Sequence, residues 1–213
     1  MNMKMFFAES SYDIPDTLRL HYETELKNAY EAASTLLPFG SKHLNFFIHP
    51  RVYDLIDETN DHGRTHNSEF IEMAFNPTLD ETGLNAVLAD IKPTVFHEMN
   101  HAARWNIPIW HTTFLDDCIM EGLANVFTRD YTQGTAPWAD YEQEDVDAWL
   151  KEIQNAGKNI NYEEYLFDHS DGRRWIGYKV GTYIVDKAIK NSDKSIIDLT
   201  AMECADIIKL AAV

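Results

Sequence analysis

The spacing of apolar residues changes several times along the chain. Leu18, Tyr22, Leu26, Ala29 and Ala33 recur every three or four positions, which predicts an amphipathic helix opened by Asp13-Ile14-Pro15-Asp16 and running to about Leu37. Pro15 and Asp16 suit its first turn, and Pro38-Phe39-Gly40 closes it. Leu44, Phe46 and Ile48 then take alternate positions, so His43 to His49 reads as a strand. Glu58 to His66 is polar and contains Gly63, and reads as a turn or loop. A second strand is predicted over Glu69 to Asn76, from Phe70, Ile71, Met73 and Phe75, with Pro77 ending it.

From Leu84 onward the period is helical. A helix is predicted from Leu84 to Trp105, with Pro93 either kinking it or starting a new segment after Asp90. Phe114 to about Asp130 follows, with Leu115, Ile119, Leu123 and Val126 inward. After a loop around Gly134 and Pro137, Asp140 to Ala156 forms an acidic amphipathic helix. Ser170-Asp171-Gly172 precedes a helix from Arg173 to about Lys190, in which Gly177 and Gly181 allow close approach of a neighbour. Ser195 to Val213 supplies the last helix. The pattern implies a mainly helical α+β fold, with a small N-terminal sheet and a helical C-terminal lobe. One domain spanning 1–213 is expected, with lobes of roughly 1–105 and 106–213.

Composition narrows the partners. The chain has 213 residues and a net charge of −17, so its surface repels nucleic-acid phosphates and anionic membranes. Neither nucleic acid nor membrane is expected as a partner. Met1 to Tyr12 has no apolar run long enough for a signal peptide and no stretch approaches about 18 apolar residues, so no membrane span and a cytoplasmic location are expected. Cys118 and Cys204 are the only cysteines and lack metal-ligand spacing, so they read as buried free thiols.

The chemistry concentrates in His97-Glu98-Met99-Asn100-His101. On a helix His97 and His101 share one face, where both imidazoles can reach one ion. Glu98 stands one step round, placed to hold a water. Two imidazoles and one carboxylate leave a position of a tetrahedral zinc open, as in catalytic sites. Glu121, twenty positions beyond His101 in an apolar helix, is the favoured third ligand, because a carboxylate there needs a partner. His111, Asp116 and Asp117 remain alternatives. A continuation of the metzincin kind would need Gly at 104 and His at 107, where this chain has Arg104 and Ile107. Asp117 and Asn125 lie one turn either side of Glu121 and can fix the tautomer of a ligand histidine. His62 and His66 read as solvated loop residues, and His21, His43 and His49 as structural.

Three blocks carry a resemblance. Phe96 to Trp105, Leu115 to Ala124 and, more weakly, Trp175 to Gly181 resemble a bacterial family of predicted zinc-dependent proteases (YjaZ-like) of undefined substrate. The motif with its later glutamate resembles the gluzincin branch of zinc peptidases. The resemblance implies a zincin-like fold with the active-site helix between the two lobes and a peptide or protein substrate. It also implies catalysis by a zinc-activated water with Glu98 as general base. A tyrosine or histidine of the C-terminal lobe should stabilise the oxyanion. Tyr178 fits best, with Arg174 on the same helix face and His169 just before it as further candidates. A strand before the zinc helix should present its edge to substrate, with Phe70 to Asn76 as the candidate. A zinc hydrolase of a non-peptide amide or ester would use the same residues. A non-catalytic zinc scaffold would have no need of Glu98, which this chain keeps.

Overall fold

A computed structural model describes residues 2–105, 113–134 and 136–213. They fall into two compact units, Met1–Asn106 and Ile107–Val213. The observed class is α+β and mainly helical, as the periodicity implies.

The first unit holds strands β1 (Asn2–Phe7), β2 (His43–Pro50), β3 (Asp61–Asn67) and β4 (Phe70–Phe75), with helices α1 (Asp16–Ser34) and α2 (Glu81–Arg104). The sheet order is β1-β2-β4-β3. β1, β2 and β4 run parallel, and β3 returns antiparallel to β4. Leu44, Phe46, Ile48, Ile71, Met73 and Phe75 form a buried face. α1 packs on that face through Tyr22, whose ring stacks on Phe75 at 4.9 Å, and through Tyr30 against Phe46.

β1 was not expected; its Met3, Met5 and Phe7 are less exposed than the alternate Asn2, Lys4 and Phe6. The polar stretch read as a loop contains β3. As a result β4 is an inner strand, and β3 and β1 are the edges of the sheet.

β3 is polar because of what its inward residues meet. Asp61, Gly63 and Thr65 register with Phe75, Met73 and Ile71, and so share their face. There they meet α2: the Thr94 hydroxyl donates to Asp61 Oδ2 at 2.8 Å, and Thr65 donates to Glu98. His62 and His66 are half-buried rather than solvated. Nδ1 of His62 lies 3.0 Å from an Arg51 nitrogen, and His66 stacks on Phe70 and lies 3.2 Å from Glu72. His21 and His43 are exposed.

α2 starts earlier than the sequence implies, because Asp80 caps it by accepting from the Gly83 N–H at 2.8 Å. It runs unbroken through Pro93. Proline removes one hydrogen bond from the ladder, and the apolar face of Val87, Leu88, Ile91, Val95, Phe96 and Met99 outweighs that loss.

The second unit is helical: α3 (Phe114–Thr132), α4 (Gln143–Ala156), α5 (Tyr162–Leu166), α6 (Ile176–Lys190), α7 (Ile196–Thr200) and α8 (Cys204–Ala211). Its centre is the α3–α6 pair. A Cβ on Gly122 would stand 2.1 Å from the Gly181 carbonyl carbon, and one on Gly181 would stand 1.7 Å from the Cys118 oxygen. The two backbones touch because neither residue has a side chain. Gly177 instead faces Leu166 and Phe114 side chains. Arg129 on α3 clamps Asp186 on α6 with two nitrogens, at 3.0 and 2.8 Å, and Tyr141 donates to the same carboxylate.

The last helix is two, broken around residues 201–203, with the Ser195–Asp198 capping box starting α7. α6 begins at Ile176 rather than Arg173, because Trp175 adopts a left-handed conformation with φ 60° and ψ 30°. That geometry costs an L-residue about 1–2 kcal/mol. Its N–H bonds the Phe167 carbonyl, and its ring packs with Trp138 and Phe167. Among the described residues no helix is long and apolar enough to cross a membrane.

Candidate metal centre

α2 supplies the motif. His97 and His101 are half-buried, one turn apart, and their rings meet at 76° with centroids 4.8 Å apart. Their Nε2 atoms lie 3.1 Å from each other. Two nitrogens bound to one tetrahedral zinc at about 2.0–2.1 Å stand about 3.3 Å apart, so this pair fits the ion. His97, His101 and Glu121 each offer a ligand atom within 4.8 Å of the others, a His-His-Glu group that can hold a metal ion.

Glu98 is 6% exposed and sits against β3. Its Oε2 accepts a 2.8 Å hydrogen bond from the Thr65 hydroxyl. Below it lies Asp61, 4% exposed, whose carboxyl is raised to about 6. Burial is the main cause, and the charges of Asp90 and Glu98 push the same way against the hydroxyl donors. Burial likewise lowers His62, and its Nδ1 must accept from Arg51, which leaves the proton of the neutral ring on Nε2.

On α3, Glu121 is half-buried beside Gly122, where α6 crosses. Asp116 closes the N-terminal capping box: Thr113 N–H donates to its Oδ2 at 3.0 Å, and the Thr113 hydroxyl accepts from its N–H. A carboxylate so engaged is a poor ligand candidate. His111 lies outside the described residues.

Residues 25–209 match the model of one family, described as "Predicted Zn-dependent protease (DUF2268)". The chain belongs to this family. Searches of curated proteins and of solved structures found no match. The family is described as zinc-dependent, in keeping with the His-His-Glu group.

The remaining candidates of this family member are distributed over the second unit. Asp117 is half-buried on α3. Asn125 is buried, and its Nδ2 donates to Thr182 Oγ1 at 2.9 Å, which in turn donates to the Tyr178 carbonyl at 2.8 Å. Tyr178 is half-buried on the first turn of α6, its ring against Trp175 at 5.5 Å. Arg174 does not share that helix; it precedes Trp175, and its Nε lies 2.5 Å from Asp168. Nδ1 of His169 lies 2.8 Å from Asp171, within a charged network that joins Arg173, Asp171 and Glu152. Cys118 and Cys204 are buried and free, and burial pushes the Cys118 thiol up, so it stays protonated. Sequence reasoning missed Asp61, Gly63 and Thr65. Their signal was the alternation of small or polar residues on one side of a strand.

Proposed function

We propose that the chain is a zinc-dependent peptidase in which His97, His101 and Glu121 hold the ion and Glu98 is the general base. The observation that carries this reading is the convergence of one ring nitrogen from each histidine and one carboxylate oxygen within 4.8 Å. Bound there, zinc would supply Lewis acidity, making a water nucleophilic near neutral pH and polarising a carbonyl.

The chain's own groups do the rest. Glu98 takes the proton of the attacking water and delivers it to the leaving amine. Tyr178 donates its hydroxyl proton as a hydrogen bond to the oxyanion. Asp117 and Asn125 fix the orientation of the ligand imidazoles. The substrate lies along β3. Asn60 accepts from the Asn76 N–H, so residues 60, 62 and 64 bond toward β4. Gly63 and Thr65 therefore turn their peptide groups to the outer edge, where an extended peptide can add as a strand. That edge favours a peptide over a small amide or ester.

Glu98→Gln tests the mechanism. It keeps the shape but removes the proton acceptor, so zinc content should persist while turnover falls about a hundredfold or more. Wild-type turnover by the variant, on a peptide that the wild type cleaves, would refute the assignment.

A further inference from the structure

We infer that Thr65 is a positioning residue for Glu98, and that the edge strand β3 holds the general base in register with the edge that receives substrate. The inference rests on the role given to Glu98 above. It is carried by three contacts. The Thr65 hydroxyl reaches Glu98 Oε2 at 2.8 Å and the Glu98 carbonyl oxygen at 2.8 Å. At Gly63 a Cβ would stand 2.6 Å from Glu98 Cγ and 2.8 Å from Oε1, so the side chain lies directly on that bare backbone. Glu98 is 6% exposed, which leaves it little room for another rotamer.

These contacts divide the work. A glutamate has three rotatable bonds, and a base that must meet a water in one orientation loses rate if it samples others. Gly63 gives the space, and Thr65 fixes one carboxylate oxygen. The hydroxyl has one proton and two acceptors, so it stays anchored to α2 through the Glu98 carbonyl when Oε2 turns away. Gly63 and Thr65 are also the residues whose peptide groups face the outer edge of the sheet. A substrate strand paired there is thereby placed relative to the base by the same two residues. In this arrangement β3 must be polar and small on its inward side, which its composition satisfies.

The test compares Thr65→Val, which keeps the shape and removes the donor, with Thr65→Ser, which keeps the donor. Crystal structures of the zinc-loaded proteins are read first, because they need no substrate. Expected is one Glu98 conformer in wild type and in Thr65→Ser, and a displaced or split Glu98 in Thr65→Val. An unmoved Glu98 in Thr65→Val would overturn the inference. Cleavage of a peptide selected from a library by the wild type is read second. Thr65→Val should lower kcat about tenfold at nearly constant KM, the size expected for a hydrogen bond to a charged group, and Thr65→Ser should restore most of it. In a Glu98→Gln background Thr65→Val should add nothing. If Glu98→Gln abolishes turnover and Thr65→Val does not change it, the positioning role fails alone. If Glu98→Gln leaves turnover intact, the proposed function fails instead. Should Thr65→Val not fold, Thr65→Ala takes its place with the same readouts.

Discussion

Nε2 of His101 stands 3.1 Å from Nε2 of His97, one turn away on α2. Two protonated nitrogens cannot face each other at that distance, so the arrangement needs either a shared proton or a shared ion. His101→Ala removes half of the nitrogen donor set. The variant is expected to keep its helical circular dichroism and to lose nearly all bound zinc by elemental analysis. A full equivalent of zinc in the folded variant would contradict the site.

Tyr178 opens α6 on a helix that Gly181 and Thr182 fasten to α3. If its hydroxyl steadies the oxyanion, Tyr178→Phe should lower kcat with little change in KM, a loss of about 2–4 kcal/mol of transition-state stabilisation. Steady-state kinetics on a cleaved peptide would show it. An unchanged kcat would remove Tyr178 from the mechanism.

Gly181 and Gly177 offer a contrast within one helix. A methyl at Gly181 would meet the Cys118 oxygen and carbonyl carbon at 1.7 and 2.5 Å, both backbone atoms that cannot step aside. At Gly177 the closest atoms are Leu166 Cδ2 at 2.9 Å and Phe114 Cζ at 3.1 Å, which can move. Gly181→Ala should destabilise by about 3 kcal/mol or more and Gly177→Ala by about 1 kcal/mol, as overpacking costs run. Thermal unfolding of the two variants checks the order; equal midpoints would contradict the packing described.

The long helices and two of the strands were legible in the sequence because their apolar residues meet other apolar residues at a fixed period, whereas the five-residue α5 was too short to show one. α2 and α3 announce themselves that way, and the His-Glu-His motif stands out against them. β3 did not, because its inward positions serve the carboxylate and hydroxyl of α2 rather than an apolar core. Hidden with it were the edge of the sheet and the partner of Glu98. The start of α6 was misjudged because one backbone angle at Trp175 decides it, and a tryptophan gives no sequence signal for a positive φ. The pairing of Gly122 with Gly181 could not be read either, since two glycines fifty-nine positions apart carry no mark of their meeting.

Asp61 makes stability depend on pH with an unusual sign. Its carboxyl, ordinarily near 3.8, titrates at about 6 in the folded chain. Between those values the folded state keeps a proton that the unfolded chain has released. Its contribution to stability therefore falls as pH rises from about 4 to about 6, by about 3 kcal/mol, and is level beyond it. Asp61→Asn is neutral at every pH and should unfold at a higher denaturant concentration than wild type above pH 6. Parallel urea titrations at pH 5 and pH 7.5 measure this, and an identical pH response in the two proteins would exclude Asp61 as its source.

Anomalous scattering at the zinc edge, from crystals of the zinc-loaded protein, decides whether His97, His101 and Glu121 are the three ligands. Expected is one peak per chain, bonded to Nε2 of His97, Nε2 of His101 and a carboxylate oxygen of Glu121 at about 2.0–2.2 Å, with one position left for water or substrate. No peak in zinc-replete crystals, or a zinc held by the histidines without Glu121, would contradict it.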